Sequence, residues 1–433
     1  MKKQFFVCIR MLSLAVCLVF AASAACPGSD LAIDFPGDID SPYKSTVIGT
    51  PLDYKAKLPG TDVKKFRLTV FPERKIPEMF WYSESLNCSL AAQDEKAPLM
   101  FVIAGTGAAY NSAKMKVLQK TFHQAGYHVI CISSPTHPNF IVSASQTKVP
   151  GHLGEDSRDL YRVMKLAYEE VKEDIDVSGF CVSGYSLGAA QAAYVSYIDE
   201  QQRIFNFRRV LMLNPPVSLF NSTAILDNAL VNNVPGGLDH ADKFMDKVFT
   251  TISDYYSETN RIDFSDPDLL YDIYRKKNLD NQMSAALVGV SFRISSANMI
   301  VASDIMTRAG FICPSNMPDS PYNPMDNYAV VATRTSFTDY FNEYFYPFFQ
   351  SRQAGLTKEN LIRSLSLQTI ESYLKNSDKI FMITNRDDII LAKGELDWLK
   401  EVFGSRAVVF DKGGHCGNMD HRQYVARMIA LMK

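Results

Sequence analysis

Six short runs of nearly unbroken apolar residues limit what this chain can fold into: 98–104 (PLMFVIA), 127–133 (YHVICIS), 180–183, 209–213 (RVLML), 379–384 (KIFMIT) and 407–410. A strand with one wet face alternates apolar and polar residues, so strands without alternation are covered on both faces. Helical patterns stand between them at 112–124, 154–173, 189–197, 393–403 and 422–432. In 154–173 the residues Leu160, Val163, Met164, Ala167 and Val171 recur at steps of three and four. Strands alternating with helices predict a parallel sheet between two helical layers. Two shorter stretches, 65–72 and 79–83, read as further strands.

The rhythm stops after Asn214 and resumes at 379. Residues 216–375 show amphipathic helices, few strand patterns, and many Tyr, Phe, Met, Asn and Asp. The organisation expected is therefore one α/β core, 60–215 plus 376–433, split by a helical insertion at 216–375. Residues 26–59, rich in Pro, Gly and Asp, read as an extended lead-in or tether.

Residues 1–25 have the three parts of an export signal. Lys2, Lys3 and Arg10 are followed by an apolar run over 11–22 and by small residues at Ala22, Ser23, Ala24 and Ala25. The run is shorter than the ~20 residues a membrane-spanning helix needs. The protein is accordingly expected to be exported, to a bacterial periplasm or the medium. Cys26 directly after Ala25 adds a second reading, a lipid-anchored form, although Ser23 stands where lipoprotein signals carry Leu. The soluble form leads. Of the eight cysteines, Cys131 and Cys181 lie in apolar runs and read as core thiols, while Cys88, Cys313 and Cys416 are candidates for a disulfide. The 45 basic and 47 acidic residues, with no long basic run, argue against nucleic acid as a partner. No CxxC or HExxH occurs, so no metal site is supported and no cofactor is expected.

One turn between a strand and a helix carries chemistry. Gly184-Tyr185-Ser186-Leu187-Gly188 follows the apolar run 180–183 and leads into a small-residue helix, the context of a nucleophile elbow. A serine hydroxyl needs a base to become a nucleophile. His415 is the best placed of the seven histidines, in the loop Lys412-Gly413-Gly414-His415-Cys416-Gly417-Asn418 between the last strand and last helix. His123, His128, His137, His152, His240 and His421 read as packed or solvated. The carboxylate that would orient the imidazole follows the strand 379–384, at Asp387 or Asp388, with Asp387 favoured.

The order Ser186, Asp387, His415, each after a strand, resembles the α/β-hydrolase superfamily over about 60–215 and 376–433. The resemblance implies a mostly parallel sheet flanked by helices, with a large helical cap inserted after the sixth strand and lying over Ser186. It also implies an oxyanion hole made by the backbone N–H groups of Leu187 and, from Ala104-Gly105-Thr106-Gly107, Thr106. This loop lacks the His-Gly pair common there. A dinucleotide loop is the competing reading of Gly105-Thr106-Gly107, but Tyr110 occupies the third glycine position.

In the insertion, Phe337, Tyr340, Phe341, Tyr344, Phe345 and Phe348 fall on one helix face. They either fasten the cap to the core or line an apolar tunnel, or touch a membrane. The leading expectation is an exported serine hydrolase of carboxylic esters, acting on a small-molecule or lipid ester. A peptidase or thioesterase with the same residues, and a non-catalytic envelope lipoprotein that binds a ligand, are the alternatives.

Overall fold

The computed structural model describes residues 30–234, 236, 237, 240, 243, 244, 250 and 280–433. Residues 1–25, read above as an export signal, and Cys26 lie outside the described residues.

Eight strands are described: β1 (Lys64–Leu68), β2 (Leu86–Ala91), β3 (Ala97–Ile103), β4 (His128–Ile132), β5 (Val177–Tyr185), β6 (Arg209–Leu213), β7 (Ile380–Asn385) and β8 (Ala407–Phe410). They form one sheet in the order β1-β2-β4-β3-β5-β6-β7-β8. β1 and β2 run antiparallel to their neighbours, and β3 to β8 are mutually parallel.

Before the insertion come α1 (Pro42–Ile48), α2 (Ala113–Gln124), α3 (Pro138–Ser143), α4 (Leu153–Val171) and α5 (Leu187–Gln202). The insertion supplies α6 (Leu219–Asn233), α7 (Asn281–Thr307) and α8 (Asp326–Arg334). Residues 337–350 then form α9, whose middle, Tyr340–Phe345, is a π turn, and α10 (Lys358–Ser364) and α11 (Glu371–Asn376) follow. The core closes with α12 (Glu395–Phe403) and α13 (Arg422–Met432).

Alternate side chains of the central strands explain the two layers. Leu99, Phe101 and Ile103 of β3 join Leu160 and Met164 of α4, Ala189 and Ala193 of α5, and Leu399 of α12 in one buried cluster. Met100 and Val102 face the other way, onto Leu118 and Phe122 of α2 and Tyr424 and Met428 of α13. Both faces are dry, which is why these strands carry no polar alternation. Each such large side chain contributes roughly 1.5–3 kcal/mol by leaving water.

Four sequence expectations change. Residues 79–83 are not a strand: Glu78–Ser83 is 3₁₀-helical, and its aromatic residues Trp81 and Tyr82 are 67% and 61% exposed. The second strand is Leu86–Ala91, whose polar Ser89 is buried and accepts a hydrogen bond from Gln119 of α2. Residues 30–59 are not an extended tether. Leu31 bridges Phe410 of β8, α1 is helical, and Lys55 bridges His421. Finally, Cys88, Cys313 and Cys416 form no disulfide; with Cys131 and Cys181 they are buried free thiols, the two core thiols as expected.

Helix α7 is long and apolar enough to cross a membrane by length and composition. Most of its apolar stretch is buried within the protein, and α1, α3, α6 and α8 pack along it. Arg293 of α7 pairs with Asp227 of α6 and donates to the Thr333 and Arg334 carbonyls at the end of α8. The arginine, 3% exposed, thereby ties three helices of the insertion together.

Candidate active site

The strand order, with two antiparallel strands at one edge and a helical insertion after β6, is the α/β-hydrolase arrangement, and this fold gathers its working side chains at the carboxyl ends of β5, β7 and β8.

Ser186 sits between β5 and α5 with φ 55° and ψ −127°. A residue other than glycine enters this region only when its surroundings hold it there. Here the Ser186 N–H donates to the Leu213 carbonyl and the Ala189 N–H returns to the Ser186 carbonyl. Close approach does the rest: a Cβ on Gly188 would lie 2.3 Å from the Ile103 carbonyl oxygen, and one on Gly184 would lie 2.2 Å from the Gly188 carbonyl oxygen. Both glycines are therefore demanded by contact.

The Ser186 Oγ lies 2.8 Å from His415 Nε2, and His415 Nδ1 lies 2.9 Å from Asp388 Oδ1 and 3.2 Å from Oδ2. The expectation that favoured Asp387 is corrected. Asp387 turns the other way, and its carboxylate accepts the N–H groups of Gly414 at 2.9 Å and Gly413 at 3.2 Å. Two adjacent acids thus divide the loop between them: Asp388 holds the imidazole, and Asp387 holds the backbone that carries it.

Asp388 is itself oriented by residues that the sequence reading passed over. Asn214, at the end of β6, donates to Asp388 Oδ2 at 2.8 Å, and the buried Tyr424 hydroxyl donates to Asn214 Oδ1 at 2.8 Å. The Ile390 N–H donates to Asp388 Oδ1 at 3.2 Å. A polar residue ending an apolar strand was the available signal at Asn214; nothing local marks Tyr424. Asn385 and Asn418 pair side chain to side chain, and Asn385 also donates to the Gly414 carbonyl.

Burial by itself pulls the His415 imidazolium down. The Asp388 carboxylate, with the neighbouring Cys416, overrides it and holds His415 above the usual histidine range. Burial raises Asp387 above the ordinary carboxylate range, with the Gly414 and Gly413 amides pulling against it and Asp388 adding to it.

The predicted amide donors meet at one place. Leu187 and Thr106 both line one apolar pocket, and neither N–H has a hydrogen-bond partner among the described residues. The loop keeps its shape without the His-Gly pair. Ala108 N–H donates to Gly105 O, Gly107 N–H to Thr136 Oγ1 at 2.8 Å, and Tyr110 N–H to Ser133 Oγ at 2.9 Å.

The pocket encloses about 560 Å³ including its mouth. Most of its wall comes from the insertion, with Phe292 and Met299 of α7 and Phe337, Tyr340, Phe341 and Phe345 of α9. The aromatic face of α9 therefore does two jobs. Those four rings line the pocket, whereas Tyr344 bonds Ser303 and Thr307 of α7, and Arg352 stacks on Phe348. The π turn over Tyr340–Phe345 lies within this lining stretch. Among the other described histidines, His137 and His152 cap α3 and α4, and His421 caps α13.

A base hydrogen-bonded to a hydroxyl, an acid behind the base and two free amides beside an apolar pocket can together perform acyl transfer. Among the described residues no group of His, Cys, Asp and Glu could hold a metal ion.

No protein-family model matches the chain, and no curated protein matches it in sequence. Among solved structures, an esterase from Pyrococcus furiosus aligns with a TM-score of 0.40 and 9% identity, over 86% of this chain and 90% of that one. A thermostable esterase from Pseudomonas putida aligns at 0.42 and 12%, over 92% and 89%. A bacterial membrane phospholipase A aligns at 0.41 and 11%, over 86% of each chain. The fold assignment rests on strand order and elbow geometry, not on these likenesses.

Proposed function

We propose that this chain is a serine hydrolase of carboxylic esters with an apolar acyl group. The observation that carries the reading is the unbroken line from Ser186 Oγ through His415 to Asp388, at 2.8 and 2.9 Å, beside two unpartnered amides. Ser186 Oγ attacks the ester carbonyl carbon as its proton passes to His415 Nε2. The developing oxyanion is received by the N–H groups of Leu187 and Thr106, each such donor being worth ~100- to 1000-fold in rate. Asp388 stabilises the imidazolium and keeps Nδ1 protonated. His415 then returns the proton to the departing alkoxide, the alcohol leaves, and water activated by the same imidazole hydrolyses the acyl-enzyme. The pocket that opens beside Leu187 takes the acyl chain.

The test is labelling by a fluorophosphonate, with Ser186→Ala as the control, followed by p-nitrophenyl esters of increasing chain length. Labelling that vanishes in Ser186→Ala, and kcat/KM that climbs from acetate to a medium-length chain, support the reading. Labelling that survives the substitution removes Ser186 as nucleophile, and no labelling at all favours a binding protein. Equal turnover of acetate and longer esters removes the acyl role of the pocket. Preference for thioesters or peptides would move the activity to another bond on the same side chains.

Export is part of the proposal and rests on residues 1–25. Fractionation of cells producing the full chain tests it. Metabolic labelling with an alkyne fatty acid, with and without Cys26→Ala, separates the soluble from the lipid-anchored form.

A further inference from the structure

Residues 31–56 are fastened at both ends to the last part of the core. Leu31 N–H donates to Val409 O at one end, and Ala56 N–H donates to Asp420 O at the other. Between these points α1 lies against the loop that carries His415. The contact is close enough to dictate sequence in the loop: a Cβ on Gly414 would fall 2.2 Å from the Pro42 carbonyl oxygen and 2.5 Å from Thr46 Oγ1, and one on Gly417 would fall 2.0 Å from the Ser45 carbonyl oxygen. The glycines around His415 thus make room for α1, in addition to freeing the loop.

One side chain of α1 touches His415 itself. Thr46 Oγ1 accepts the His415 N–H at 2.8 Å and donates its own proton to the Pro42 carbonyl at 2.6 Å. His415 stands between Gly414 at φ +57° and Cys416 at φ +58°, so neither neighbour belongs to a helix or strand that would fix it. Two further bonds hold the loop's far side, Thr50 Oγ1 to Gly417 O at 3.1 Å and Lys114 Nζ to Cys416 O at 2.8 Å. Neither reaches His415.

We propose that Thr46 is a positioning residue: its hydroxyl, fixed by the Pro42 carbonyl, sets the backbone of His415 so that Nε2 meets Ser186 while Nδ1 meets Asp388. The proposal rests on the hydrolase reading above and adds the N-terminal segment to the site. A displacement of ~1 Å in a reacting group costs roughly 100-fold in rate, and a part-buried N–H left without its partner favours a shifted backbone that finds another.

The experiment compares Thr46→Val, which keeps the shape and removes the hydroxyl, with Thr46→Ser, which restores it, in the full chain. In Thr46→Val, kcat is expected to fall ~10- to 100-fold with KM within ~2-fold, while Thr46→Ser stays near wild type. Because a loosened His415–Asp388 pair lowers the imidazole pKa, the acid limb of kcat/KM should move to lower pH in Thr46→Val alone. Thermal melts recorded alongside keep folding separate from rate. Wild-type kcat and an unmoved acid limb in folded Thr46→Val overturn the proposal, as does a Thr46→Ser variant as slow as Thr46→Val. If Ser186→Ala keeps full hydrolysis, the hydrolase reading falls and the positioning role falls with it. An unchanged Thr46→Val on a Ser186-dependent activity removes the positioning role only.

Discussion

The α/β core and the helical insertion meet at one pocket, yet they contribute in different currencies. The core supplies the polar groups of the proposed reaction: Ser186, His415, Asp388 and the amides of Leu187 and Thr106 all lie just beyond the carboxyl ends of strands β5, β8, β7 and β3. The insertion supplies apolar wall, chiefly rings of α9 and the inner face of α7. Substitutions in the first region should change how fast bonds are made, and those in the second should change which substrates are held. The two regions are therefore separable by kinetics.

The contrast is broken most severely at Asp388. Asp388→Asn should lower kcat ~10,000-fold, the loss typical when this acid is neutralised in Ser-His-Asp enzymes. The pH profile gives the sign. His415 must be neutral to accept the serine proton, so activity falls in acid as it protonates. Asp388 holds its pKa up, so the residual activity of Asp388→Asn should have its acid limb at lower pH than wild type. An unshifted limb would mean that Asp388 does not face the imidazole.

Next in size is a change inside the insertion. Arg293→Met leaves Asp227 buried without its partner, which costs roughly 3–5 kcal/mol, whereas replacing both by apolar residues is often neutral. Chemical denaturation should show a large loss for Arg293→Met and recovery in Arg293→Met with Asp227→Leu. Equal stability of the two variants would break the account of how α6, α7 and α8 are joined.

Asp387→Asn should be milder than Asp388→Asn, roughly 10-fold in kcat, because it weakens two bonds to the loop backbone without touching the imidazole. Its acid limb should stay near that of wild type. The smallest expected effect is in the wall. Phe341→Ala should raise KM for medium-chain esters by about 10-fold, the scale of a lost apolar contact, and leave acetate ester turnover unchanged. A loss on acetate as large as on longer chains would place this ring in the reaction instead of the pocket.

These regions also differed in how far they could be read from sequence. Strands β3 to β8 were legible because burial on both faces leaves unbroken apolar runs. The elbow was legible because close packing demands small residues at Gly184 and Gly188. The choice between Asp387 and Asp388 was not: two carboxylates follow one strand, and only the turn around Asn385, with Asn214 behind it, decides which faces His415. Strand β2 was hidden by its polar positions, while the neighbouring aromatic residues 80–82 imitated a strand. Residues 30–59 resembled a tether in composition because the apolar residues that fasten them to the core, Ile33, Phe35, Ile39 and Ile48, are few and irregularly spaced, and polar contacts such as that of Thr46 leave no periodic trace. The insertion could be recognised as helical, and the lining rings of α9, Phe337, Tyr340, Phe341 and Phe345, lie on the face its periodicity marks; the periodicity does not separate them from Tyr344 and Phe348 of the same face, which pack elsewhere.

The central claim is that Ser186 carries the acyl group between two half-reactions. Rapid mixing of the protein with a p-nitrophenyl ester, acid quenching and mass analysis of the intact chain and its peptides test this directly. The account predicts one acyl mass increment per chain on the peptide containing Ser186, formed within the first turnover and absent in Ser186→Ala. Sustained turnover with the increment on another residue would contradict it.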